Sequence, residues 1–238
     1  MFHRFLLFVC LSLVCFSLSA QIPSALLKSL ESEDWRTRGK ALVELKAYLP
    51  SQAAKDAIMS LLIRENQEAF PADEFFKRPD FKPAGEANSE HYVDLLNTVA
   101  SFRDERSATV LAGAAGTGAI VSRALAQFPR AVLPVLIDQM LANPSTNLRI
   151  GSAWDLAALM LDREARSKLQ SAEIERAKSA FLQLSKDPMW LLRRDAVRGL
   201  QAVGDTSVLS LLRNLAENDP HQKVREAALK AVSQMQPQ

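Results

Sequence analysis

His91 and His221 are the imidazoles available for proton transfer or metal ligation once the leading twenty residues, which hold His3, are set aside. They stand far apart in sequence, and no His-Glu-x-x-His run occurs to present two ring nitrogens to zinc from one helix face. Cys10 and Cys15 both lie in the leading segment, so residues 21–238 have no thiol for catalysis, metal binding or a disulfide. No Gly-x-Ser-x-Gly elbow is present to activate a serine nucleophile. Residues 112–119, Ala-Gly-Ala-Ala-Gly-Thr-Gly-Ala, have the glycine content of a phosphate loop. They lack its Lys-Ser/Thr ending and follow no strand pattern, so a close-packed helix turn or small-residue junction is expected there. Carboxylates are plentiful, but spacing assigns no two of them to a shared cleft. This inventory predicts no catalytic residue, no metal and no cofactor.

One charged residue type does recur. Arg38, Arg149, Arg193 and Arg225 occupy equivalent slots in a repeated unit. A row of arginines could bind an anion or an acidic partner. As part of the unit's own pattern, such a residue is expected instead to lay its stem on the core edge. Its head would then pair with an Asp or a carbonyl of an adjacent turn.

The unit is clearest in the last fifty residues. Asp187-Pro188 is followed by Leu192-Arg193, Ala196 and Leu200; Asp219-Pro220 is followed by Val224-Arg225, Ala228 and Val232, each 32 positions later. Trp35, Arg38, Ala41 and Leu45 precede Trp190, Arg193, Ala196 and Leu200 by 155 positions each. A period of this size points to stacked helical units. Asp-Pro is a helix-start signal, and apolar residues four apart fall on one helix face. Gly204-Asp205 separates this helix from a second with apolar positions Val208, Leu209, Leu211, Leu212 and Leu215. The unit therefore reads as a helical hairpin with a buried stripe on both arms. Trp35 and Trp190 are expected to cover the joints between units.

Less regular copies fill the interior. Ala54, Ile58, Leu61 and Leu62 mark a partner helix for the first unit. Asn88 or Ser89 is placed to cap a helix containing Tyr92, Leu95, Leu96 and Val99. Phe128-Pro129, then Asn143-Pro144 with Leu148-Arg149, Ser152 and Leu156, form a degenerate unit. Residues 163–186 read as connecting helices.

These residues resemble the short bacterial-type HEAT-like repeats, a class also found in phycobilin lyases. The resemblance implies an all-α fold, an α-solenoid of stacked helical hairpins. It implies that second helices line the concave side and that the curved surface binds a protein partner. On that basis Ser210, Arg213, Asn214 and Glu217 are candidate binding residues, with Asp138 and Gln139 as counterparts upstream. An alternative is an enzyme or ligand-handling protein resembling the lyases, with a pocket near a Phe-rich stretch.

That stretch lies in an irregular insertion expected at residues 66–87, where Phe70 to Pro83 hold three prolines and four phenylalanines. Proline at this density excludes a regular helix. The rings, Phe75 and Phe76 among them, either pack over the edge of the stack or form a binding loop. Residues 1–20 have a short basic start, an apolar run from Phe5 to Phe16 and small residues at Ser17–Ala20, the pattern of a secretory signal peptide. The expected organisation is a signal peptide over 1–20 and one repeat domain over 21–238, exported to the periplasm or beyond. No later stretch suits a membrane span. With 29 basic and 27 acidic side chains, the charge balance gives no argument for nucleic acid.

Overall fold

The structure, a computed structural model, describes residues 21–69 and 86–235. The expected signal peptide and Phe75 and Phe76 lie outside the described residues. What is described is 81% helix without strands, in thirteen α-helices: α1 (Ser24–Ser29), α2 (Trp35–Leu45), α3 (Gln52–Ala69), α4 (Glu86–Ala100), α5 (Glu105–Leu111), α6 (Ala119–Gln127), α7 (Pro129–Ala142), α8 (Thr146–Leu161), α9 (Arg163–Ser167), α10 (Ser171–Leu184), α11 (Trp190–Val203), α12 (Leu209–Asn218) and α13 (Gln222–Met235). The molecule is an all-α solenoid.

The predicted stripe is the core. Leu192, Ala196, Leu200, Val224 and Ala228 are fully buried, as are Leu45, Ile58 and Leu62 at the other end. Alanine in the repeated small slot allows α11 to lie against α8 on one side and α13 on the other. These three helices form one row; α7 and α10 pack together beside it. Gly204 closes α11 with a left-handed φ of +74°, a helix end that glycine adopts without a Cβ clash.

Several boundaries depart from the sequence reading. Helix α3 runs to Ala69 and α4 begins at Glu86, so residues 66–69 and 86–87 of the expected insertion are helical. Neither Asn88 nor Ser89 caps α4, which has already started. The hairpin pairing is shifted by one helix: α12 packs chiefly on α13, as α10 does on α11 and α7 on α8. Helix α10 is thus a full member of the stack rather than a connector. It lacks the Asp-Pro start that marks the two units after it, and it buries Phe181 instead, whose ring lies where a Cβ on Gly199 would stand 2.2 Å away. Asp187 and Asp219 do not cap the first helical turn. Each folds its carboxylate onto the N–H two residues on, Met189 at 2.8 Å and His221 at 2.9 Å.

The glycine-rich run is the small-residue junction. Gly116 has a φ of +83°, and a Cβ on Gly151 of α8 would stand 2.1 Å from the Ala115 carbonyl oxygen. The loop and the helix backbone therefore touch directly.

Candidate functional site

The recurring arginines are the joints of the stack. Arg193 on α11 donates from Nε and Nη2 to the two carboxylate oxygens of Asp219, at 2.8 and 2.9 Å, a bidentate pair between consecutive units. Its Nη1 donates to the carbonyls of Asp187 and Pro188 at the start of its own unit. Arg149 on α8 repeats the arrangement, pairing with Asp187 and donating from Nε to the Met140 carbonyl. Arg225 donates to the Asp219 carbonyl at 2.7 Å. Asp187 and Asp219 therefore each do two things: each shapes its own turn and receives the arginine of the unit before. The hydrogen bond from Arg193, with burial opposing it, holds the Asp219 carboxyl below its ordinary value.

The first unit solves the same problem with other residues. Arg38 is buried, and its Nε donates to Glu65 Oε1 at 2.6 Å while Nη2 donates to Glu68 at 2.8 Å, both on α3. His91 of α4 lies 3.2 Å from the same Glu65 oxygen, and Trp35 stacks beside the imidazole. Burial pushes Glu65 up, but the hydrogen bonds from His91 and Arg38 outweigh it and hold the carboxyl below its ordinary value. An arginine, a histidine and a glutamate within contact look like catalytic parts. They are enclosed and spend their hydrogen bonds on each other and on the Ser32 and Glu33 carbonyls.

An open groove of about 580 Å³ lies nearby, between α3, α5, α7 and the start of α8. Its apolar lining includes Ile63, Val110 and Leu148, and Ile63 is 47% exposed. Its polar lining is chiefly carboxamide: Asn66, Gln67, Gln139 and Asn143. No ionisable side chain lines it among the described residues. Three of the carboxamide oxygens are already occupied. Asn66 accepts from the Tyr92 hydroxyl at 2.6 Å, Gln139 from the Ser152 hydroxyl at 2.9 Å, and Asn143 from the Ser145 N–H at 2.8 Å. These three still offer their NH2 groups and one oxygen lone pair each, and Gln67 offers its whole carboxamide. Burial, with the Glu65 charge adding to it, pushes the Tyr92 phenol far above its ordinary value, so it serves as a donor at any physiological pH. The groove thus presents apolar walls and neutral N–H donors.

Comparison with known families bears on the stack rather than the groove. Residues 177–238 match HEAT repeats. The match begins within α10 and runs through α11, α12 and α13, the region where the arginine joint is most regular. No curated protein and no solved structure matches the chain. The match supports a helical repeat scaffold over those residues; outside them Arg38 and Arg149 make comparable joints, to Glu65 and Glu68 and to Asp187.

The residues predicted from the HEAT-like pattern divide. Ser210, Arg213, Asn214 and Glu217 are all exposed along α12, as their spacing required. Asp138 is exposed on α7, 3.7 Å from Arg176. Gln139 turns the other way, into the groove; its register counterpart on α12 is Leu215, which is buried. Asn66, Gln67 and Asn143 were missed as site residues because they come from separate helices and turns with no shared period. A run of uncharged amides near the end of α3 was the available signal.

Proposed function

We propose that this chain is an exported HEAT-repeat scaffold that binds a protein partner, and that the partner enters the groove between α3 and α8 as a largely apolar, extended peptide segment. The carrying observation is the lining: apolar walls beside carboxamide N–H donors, with no charged side chain among the described residues. Peptide carbonyls are the acceptors such donors suit, and a groove whose described lining is uncharged favours an uncharged segment over an acidic or basic one. Export rests on the pattern of residues 1–20, and N-terminal sequencing of the protein recovered from the cell envelope tests it: a start near residue 21 is expected, and an intact Met1 would contradict it.

The binding test compares two surfaces. Ile63→Asp places a charge on the groove wall at a position already half open to solvent, so the fold is expected to survive. Affinity purification from the envelope is expected to lose its specific partner with Ile63→Asp and to keep it with a combined alanine variant of Ser210, Arg213, Asn214 and Glu217. The reverse outcome would move the binding face to α12.

A further inference from the structure

Asp195 is the buried acid that the repeat does not account for. Its register equivalents are Ala227, 32 positions later, and Gly151, the same distance from Arg149 as Asp195 is from Arg193. The units on either side thus fold with a small residue there. In α11 the position holds a carboxylate that is 1% exposed. Oδ1 accepts from Arg194 at 3.1 and 3.2 Å and from Arg198 at 3.1 Å. Oδ2 is buried and, among the described residues, has no hydrogen-bond partner. A buried carboxylate oxygen left without a donor is a cost to the fold that the ion pairs on Oδ1 offset only in part.

The surroundings of Asp195 are those of a binding site. Asp195 lines a trench of about 180 Å³ between α8 and α11, with Trp154, Leu161 and Arg198. It also lines an adjoining hollow of about 380 Å³ with Ile150 and Arg194. Trp154 is 51% exposed and Leu161 66%, an unusual pair of bare large side chains on one helix. The Arg198 guanidinium lies 5.0 Å over the Trp154 ring. Two arginines against one aspartate leave these hollows with one excess positive charge.

We propose that the trench between α8 and α11 is a second docking site, which takes an acidic peptide segment with an adjacent apolar side chain. A backbone N–H of the segment donates to Asp195 Oδ2. An acidic side chain meets Arg194 or Arg198 at the rim, and an aromatic or branched side chain lies on Trp154 and Leu161. Burial holds the Asp195 carboxyl above its ordinary value despite the two arginines. A polyanion such as a nucleic acid suits the trench less well, because it supplies phosphates where the buried oxygen needs a donor. The site does not rest on the groove at α3 and is tested separately from it.

The probe is a pool of fluorescein-labelled dodecapeptides randomised over Glu, Leu, Trp and Gly, read by anisotropy against the full chain. A second pool has Lys in place of Glu, and a third arm is a labelled oligothymidine. The Glu pool is expected to bind at least about tenfold more tightly than either. Asp195→Ala, the residue at the equivalent place in the next unit, is expected to lose about tenfold in binding while its urea midpoint rises above that of the wild type. Leu161→Ala, exposed and harmless to the fold, is expected to weaken binding as well, and Ile63→Asp to leave it unchanged. Equal binding by wild type and Asp195→Ala, a lowered urea midpoint for that variant, or preference for the Lys pool or the oligothymidine would each overturn the proposal.

Discussion

The two ends of the stack carry the same four kinds of residue and use them differently. At the C-terminal end, Trp190, Arg193, Asp219 and His221 come from consecutive units; at the N-terminal end, Trp35 and Arg38 hold the matching slots, but Glu65 and His91 come from α3 and α4. Trp190 and His221 lie flat on each other, centroids 3.9 Å apart and planes 3° apart, whereas Trp35 and His91 are 6.4 Å apart and tilted by 27°. The ion pair at the N-terminal end is the more enclosed: Arg38 and Glu65 side chains are each 2% exposed, against 12% for Arg193. In three of its four copies, Arg38, Arg149 and Arg193, the arginine in this slot meets a carboxylate, and the fold supplies it from wherever the chain passes; Arg225 donates to the Asp219 carbonyl instead. What repeats is the arginine rather than its partner's place in sequence.

The largest effect expected from breaking this comparison is at the buried pair. Arg38→Ala leaves Glu65 enclosed beside His91 without its guanidinium, and a loss of about 3–5 kcal/mol is expected in urea denaturation. Arg193→Ala removes a bidentate pair that is closer to solvent, and about 1.5–3 kcal/mol is expected. Equal losses would mean that the difference in enclosure has no energetic weight.

Acid sharpens the comparison next. Glu65 and Asp219 both have carboxyls held below their ordinary values, so the native state binds their protons less readily than the unfolded chain does. Their contribution is fully present above the unfolded carboxylate pKa, about 4, and is lost as pH falls through the lower folded values. Asp195 acts in the opposite sense, since its raised carboxyl favours the folded state as pH falls. Urea midpoints measured from pH 7 to pH 3 are therefore expected to fall less steeply in Asp219→Asn than in the wild type, and more steeply in Asp195→Ala. The smallest effect is expected from His221→Ala, which removes the flat stack on Trp190 and costs about 0.5–1.5 kcal/mol.

Where the sequence is regular, it spoke clearly. The spacing of Leu192, Ala196, Leu200, Val224 and Ala228 placed the core, and Arg193 with the repeated Asp-Pro turns placed the joints, because each job needs one residue type at one register. Helix α10 was harder to read because packing of Phe181 over Gly199, rather than a turn signal, defines its place. The groove was nearly invisible. Asn66, Gln139 and Asn143 converge from different helices, and Gln139 entered the sequence reading as a surface residue beside Asp138. Asp195 lies between arginines in a charged helix and reads as solvated; only the helix packed against it shows the carboxylate to be enclosed.

In the proposed reading, the residues that hold the stack are separate from those that meet a partner. A photo-crosslinking phenylalanine placed at Ile63, on the groove wall, and another at Leu229, 66% exposed on α13, test that separation most directly. Crosslinking in intact cells is expected at residue 63, to an apolar stretch of one partner chain, and to be absent at residue 229. Equal yields at both positions, or a product at 229 alone, would contradict the claim that the groove is where this scaffold works.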